Sequence, residues 1–210
     1  FGMHRSARTD KALYMRGTDA EHTVHITELG EPAFLGMAFN AASEADLGVI
    51  SELDGASDVL DNDEPCGGKK VILTDPDGLK VEIIHGINKL EAIPVKEVTP
   101  FNSGSRRRRV GPIVRSYPRP SQIKRLGHIV LRCGDFKGCE EFYRNKLGML
   151  VSDFLYRGEE DNPGDNAAEF LRCNRGQEYT DHHTILVTDA DEAGLGHVAF
   201  EVEDWIDLSV

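Results

Sequence analysis

The sequence has no apolar run long enough to span a bilayer, and its opening residues do not read as a signal peptide. No membrane partner is expected, and the chain reads as soluble and cytoplasmic. Cysteine is sparse. Cys66, Cys133, Cys139 and Cys173 are scattered with no CxxC pair, so free thiols are expected rather than a disulfide framework. Positive charge is also short. The 24 Lys and Arg face 36 Asp and Glu, a net charge of −12, and this acidity argues against nucleic acid as a partner. The exception is Arg106-Arg107-Arg108-Arg109. No aromatic side chain interleaves with it, so it reads as a solvated loop. What remains is an ordinary soluble composition, 40% hydrophobic and 29% charged over 210 residues, enough for one large domain or two modest ones.

The chain repeats itself. His22-Thr23-Val24-His25-Ile26 matches His183-Thr184-Ile185-Leu186-Val187, and Ala38-Phe39 matches Ala199-Phe200 at the same offset. Phe1-Gly2-Met3 matches Leu147-Gly148-Met149 at a shorter offset. The difference reads as a loop insertion in the second copy, around Arg157 to Ala168. Its segment Tyr156 to Asp165 reads either as a lid or oligomer contact or as a surface loop. The second copy opens with a strand, Gly127 to Arg132, and a helix from Asp135 to Lys146, with Asp135 as N-cap and Gly148 after its end. The first copy closes with Val71 to Ile84, a β-hairpin turning on Asp77-Gly78. Each copy lacks what the other shows, so the residues read as an internal piece of a longer chain, shortened at both ends. Residues 1–86 form the expected first domain and 125–210 the second. The proline-rich stretch 87–124 reads as an extended linker.

Three histidines stand in apolar runs that read as strands: His128 in Leu126–Leu131, His183 in Asp181–Val187 and His197 in Leu195–Val202. Buried strands rarely place an imidazole where Val or Ile would serve, because its two nitrogens need partners. Alternate strand residues face opposite ways. His128, Val130 and Arg132 therefore share one face, and His197, Ala199 and Glu201 share another. His183, Ile185 and Val187 are expected on one face of the middle strand. Each strand can aim one histidine at a common concave surface, the arrangement of a metal or acid/base site. Two imidazoles and a carboxylate with open positions make the facial triad of non-haem Fe(II) oxygenases. Among the other histidines, His4, His22, His25 and His85 read as ordinary core or rim residues.

Taken together, Leu126-Gly127-His128-Ile129-Val130-Leu131-Arg132, Phe142-Tyr143-Arg144-Asn145-Lys146-Leu147-Gly148-Met149, Asp181-His182-His183-Thr184, and Gly196-His197-Val198-Ala199-Phe200-Glu201-Val202 resemble the vicinal oxygen chelate superfamily. Within it they are most similar to the two-domain type I extradiol catechol dioxygenases. Thr74 to Glu82 resembles the superfamily's closing hairpin. The resemblance implies an α+β fold of repeated βαβββ modules paired into cup-shaped half-barrels, with two domains. It implies a metal-free first domain, in keeping with Gly36 at the position matching His197. It implies that His128 and His197 are metal ligands and that His183 is a catalytic second-sphere residue beside the bound oxygen species. The metal is expected to be Fe(II), with Mn(II) as the alternative. The substrates are expected to be a small aromatic diol and O₂, and the assembly a homo-oligomer. The family's third ligand is a Glu on the closing hairpin of the second domain. Glu82 holds the equivalent place in the first copy, which puts the expected ligand beyond Val210 and leaves the site partial within these residues. Two other readings of the same resemblance are a Zn(II) or Ni(II) isomerase or thiol transferase, and an inactive relative that binds a small aromatic.

Overall fold

The computed structural model describes residues 2–96, 100–111, 119–159, 162 and 164–209. Phe1, Pro112, Pro118, Glu160, Asp161, Pro163 and Val210, each part of a sequence feature named above, lie outside the described residues. The architecture is α+β, mostly sheet with few helices. The chain divides into two units. One comprises Phe1–Leu29, Lys89–Leu126 and Phe200–Val210, the other Gly30–Asn88 and Gly127–Ala199.

The first unit contains the antiparallel sheet β1 (His4–Arg8), β2 (Ala12–Arg16) and β3 (His25–Glu28). Arg16 is buried, which a guanidinium tolerates only when its donors are used. Its Nη2 donates to the carbonyls of Asp19 at 2.5 Å and Glu91 at 2.9 Å, and its Nε to that of Gly17 at 3.2 Å. Asp207 is buried in the same unit. It pairs with Arg119 at 2.6 Å, and its Oδ1 accepts from the Gln122 amide at 3.3 Å. Arg106 to Arg109 are exposed beside a small Ser103–Arg106 bridge, as a solvated loop requires.

The second unit contains two βαβββ modules of one design, except for Ile123–Leu126 at the start of the second, which belong to the first unit. The first runs β4 (Gly36–Asn40), α1 (Glu44–Ser51), β5 (Leu60–Asp61), β6 (Lys69–Thr74) and β7 (Lys80–His85). Its strand order is β4-β7-β6-β5, with β4 parallel to β7. Ser43 caps α1 through a capping box with Asp46, satisfying backbone donors that a helix start leaves unpaired. The β6–β7 turn follows the Asp-Gly signature. Gly78 takes φ +88°, open to glycine at no steric cost, and Asp75 Oδ1 accepts from the Leu79 amide at 2.8 Å.

The second module runs β8 (Ile123–Cys133), α2 (Phe136–Glu140), β9 (Leu150–Tyr156), β10 (Asn166–Arg172) and β11 (Ile185–Asp189). It repeats the plan as β8-β11-β10-β9, with β8 parallel to β11, and β12 (Gly194–Val202) joins the free side of β8. Asp135 caps α2 as expected, its Oδ1 accepting from the Gly138 amide at 3.0 Å. The expected helix to Lys146 is not uniform, however. From Glu141 to Lys146 it widens into a π-helix, and the Leu147 amide bonds the carbonyl of Phe142, five residues back. Gly148 follows at φ +71°.

The core of this unit lies between its sheets and helices. Leu131, Leu171, Ile185, Val187 and the thiols of Cys133 and Cys139 are fully buried there. Each aliphatic side chain so removed from water contributes roughly 1.5–3 kcal/mol. Two polar groups join this core with partners. The Tyr143 hydroxyl donates to Asp75 Oδ2 at 2.8 Å, and Glu169 accepts from Arg144 at 3.2 Å and Asn166 at 2.6 Å. The four cysteines are free thiols.

Candidate metal centre

The alternation in β8 decides where its histidine points. Ile129, Leu131 and Cys133 are buried, and the residues between them are partly or fully exposed. His128 therefore stands on the open face of the sheet, opposite the helix-covered core. β12 runs next to β8 and brings His197 onto the same face. The two imidazoles meet with His128 Nε2 3.2 Å from His197 Nε2 and ring centroids 5.4 Å apart.

Gly196 is what lets the two strands come this close. A Cβ there would stand 2.8 Å from Val130 Cγ1, closer than real side chains come, and in tight contact, 3.1 Å, with the Val130 carbonyl oxygen. A glycine beside His197 is thus a packing requirement of the histidine pair.

His183 joins them, its ring centroid 4.2 Å from that of His128. It does so from a different place than strand alternation leads one to expect. β11 begins only at Ile185, and His182 and His183 lie in the approach to it. The apolar run Ile185-Leu186-Val187 is buried throughout and needs no polar residue to extend it. Freed from strand alternation, the two neighbouring imidazoles turn toward each other, Nδ1 to Nδ1 at 3.1 Å. Phe170 of β10 packs edge-on against both, with centroids 4.9 Å from His183 and 5.5 Å from His182. The sequence alone assigns no role to Phe170 or His182. A β10 residue one position from buried Glu169 and Leu171 is the only local sign that Phe170 faces the histidines.

The electrostatics favour the neutral form of His128 and His183. Burial comes first in holding His128 below the usual histidine range, followed by the charge of His197. His183 is lowered by burial, then by the charges of His128 and His182. The carboxylate of Asp181 acts on both rings in the opposite sense. A neutral imidazole is the form that binds a metal. The 3.2 Å between the Nε2 atoms also fits one ion. Two cis ligands with bonds of roughly 2.1 Å stand about 3 Å apart. His128 and His197 therefore fit a metal as two adjacent ligands. Among the described residues, no third carboxylate, thiol or imidazole completes a compact three-donor group with this pair.

In the first module, the place equivalent to His197 is Gly36, where a Cβ would lie 2.1 Å from the Lys80 carbonyl oxygen. Glu82 is held there by Lys70 at 3.4 Å and Lys80 at 3.3 Å.

Residues 125–209 match the family model of the Glyoxalase/Bleomycin resistance protein/Dioxygenase superfamily. Over 200 residues, 94% of the chain, the sequence is 26% identical to metapyrocatechase 2 of Cupriavidus necator, of which it spans 58%. The Mn(II)-bound glyoxalase from Novosphingobium aromaticivorans aligns with a TM-score of 0.73 at 22% identity, over 99% of this chain and 60% of that one. A variant of homoprotocatechuate 2,3-dioxygenase from B. fuscum also aligns with a TM-score of 0.73, at 17% identity, over 99% of this chain and 52% of that one. The chain thus spans a little over half the length of these relatives, and the structural likeness is one of fold.

Proposed function

We propose that the chain is part of an extradiol ring-cleaving dioxygenase, a reading supported by the match of residues 125–209 to the Glyoxalase/Bleomycin resistance protein/Dioxygenase superfamily model. It would insert O₂ into a catechol-type aromatic at a non-haem Fe(II) centre. The observation that carries this reading is the His128–His197 pair, two Nε2 atoms 3.2 Å apart with His183 packed against one of them. Metapyrocatechase 2 supports the same direction by name, over nearly the whole chain. Along the sequence, the proposed domains are residues 1–86 and 125–210, joined by 87–124.

In this reading His128 and His197 hold the metal through Nε2. Fe(II), or Mn(II) in its place, would supply adjacent positions for both catechol oxygens and for O₂, and a route for electrons between them. The residues of the chain do the remaining work. The sheet fixes the two ligand rings, and the close approach at Gly196 keeps their spacing. His183 has Nδ1 engaged by His182, so Nε2 is the nitrogen left to give or take a proton. Placed beside His128, it can donate a hydrogen bond where negative charge develops on oxygen, which is where such a donor lowers a barrier. Phe170 restricts both the His182 and His183 rings to this orientation.

The test loads the full-length protein with Fe(II) without air, adds mono- and bicyclic catechols, and then admits air. A yellow ring-opened product supports the proposal. Its absence across the panel, with iron bound, overturns it. Zn(II)- or Ni(II)-dependent isomerase activity in place of that product would assign the site to a different chemistry.

A further inference from the structure

A second group of metal-ligating side chains lies on the other face of the β8 sheet. Cys133 ends β8 on the buried side of its alternation, away from His128. Cys139 lies in α2, and Asp77 in the β6–β7 turn of the other module. The Sγ atoms of Cys133 and Cys139 and a carboxylate oxygen of Asp77 all lie within 4.8 Å of one another. We propose that Asp77, Cys133 and Cys139 form a thiolate-rich site for Zn(II), which fastens the β6–β7 turn of one module to the β8–α2 turn of the other.

Geometry, placement and chemistry agree on this. In a tetrahedral zinc site, bonds of about 2.3 Å to sulfur and about 2.1 Å to oxygen separate those two ligands by roughly 3.6 Å. Cys139 Sγ lies 3.4 Å from Asp77 Oδ2. The carboxylate is fixed in place. Its Oδ2 accepts from the Gly134 amide at 3.0 Å and its Oδ1 from the Asp135 amide at 2.9 Å. Both donors belong to the segment that joins the two cysteines, so the turn that orients Asp77 also sets the Cys133–Cys139 spacing. Cys133 is 1% exposed and Cys139 0%, which leaves Asp77, partly exposed, on the solvent side for an entering ion and a water ligand.

Charge gives the site its preference for a cation. Among the described residues Asp77 forms no ion pair, and the side chains grouped with its carboxylate are the two thiols. The hydrogen bond to Cys133, burial, and the charges of Cys133 and Asp77 all push the Cys139 thiol above its usual range. Without a metal the Cys139 thiol therefore keeps its proton and donates it to Asp77 Oδ2. On binding, two S–Zn bonds form, two thiol protons leave to solvent, and the dication offsets two thiolates and a carboxylate. Soft sulfur donors select Zn(II) over Fe(II), so the site does not compete with the histidine pair for iron.

The experiment uses the reduced chain carrying His128→Ala and His197→Ala, titrated with Co(II) as a coloured substitute for Zn(II). The expected result is near-ultraviolet thiolate-to-cobalt absorption that saturates at one equivalent and is displaced by Zn(II). Cys133→Ser and Cys139→Ser should abolish it, and Cys66→Ser and Cys173→Ser should leave it unchanged. X-ray absorption on the zinc-loaded protein with all four cysteines should show two sulfur neighbours, a readout that does not depend on how the serine variants fold. An absorption that survives both serine variants, or is lost with Cys173→Ser, overturns the assignment. So does a zinc shell of oxygen and nitrogen alone. None of these readouts depends on dioxygenase activity.

Discussion

His128 and His197 face each other across adjacent strands with their Nε2 atoms 3.2 Å apart. Two imidazoles at this spacing, both on the open side of a sheet, can share a proton as a hydrogen bond or a metal ion as two cis ligands. Replacing either with Ala should cut bound iron from near one equivalent to a small fraction while the protein stays folded. Metal analysis after anaerobic loading and desalting checks this.

His183 is expected to behave differently. It touches His128 but approaches from the segment before β11. His183→Ala should keep iron near the unsubstituted level and lower turnover by roughly 10²-fold or more, the range for a lost proton-transfer group. Iron content and steady-state rates measured on one preparation separate the two kinds of histidine.

Gly196 ties packing to the site. A methyl group there meets Val130 Cγ1 at 2.8 Å, so Gly196→Ala forces the Val130 side chain or the β12 backbone to shift. Overpacking of this kind costs about 1–3 kcal/mol. The expected outcome is a lowered unfolding temperature together with weakened iron binding, seen by calorimetry and metal titration.

Glu169 predicts a pH effect. Burial first, then the neighbouring Glu140 carboxylate, pushes its pKa up to about 7, against the opposing charge of Arg144. A carboxyl whose pKa is higher folded than unfolded binds protons more tightly in the native state. Its stabilisation is present in full below the unfolded pKa of about 4.5 and is lost as pH rises toward 7. Glu169→Gln should therefore stabilise the protein at pH 7 to 8, by on the order of 1 kcal/mol, and change little near pH 5. Denaturant unfolding of both proteins across that range measures it.

Much of this arrangement is legible locally in the sequence, because faces and turns are local properties. The alternation around His128, the Asp77-Gly78 hairpin and the Asp135 cap each follow from neighbouring residues, and each stands in the structure where the pattern puts it. The departures have physical causes too. Ile185-Leu186-Val187 is buried on both faces, so alternation carries no signal there and nothing in the pattern stops the strand short of His183. The π-helix buries Phe142 and Tyr143, and the spacing of these apolar residues does not distinguish it from a regular helix. The meeting of Asp77 with Cys133 and Cys139 joins residues more than fifty positions apart, which no local pattern reports.

If the histidine pair supports Fe(II)-dependent opening of a catechol ring, oxygen must disappear in step with substrate. Oxygen uptake by the full-length, Fe(II)-loaded protein on addition of catechols measures this. One O₂ should be consumed per ring opened, with no uptake in His197→Ala. Stoichiometric iron bound at His128 and His197, with no catechol-dependent uptake from any substrate tried, would rule the dioxygenase reading out.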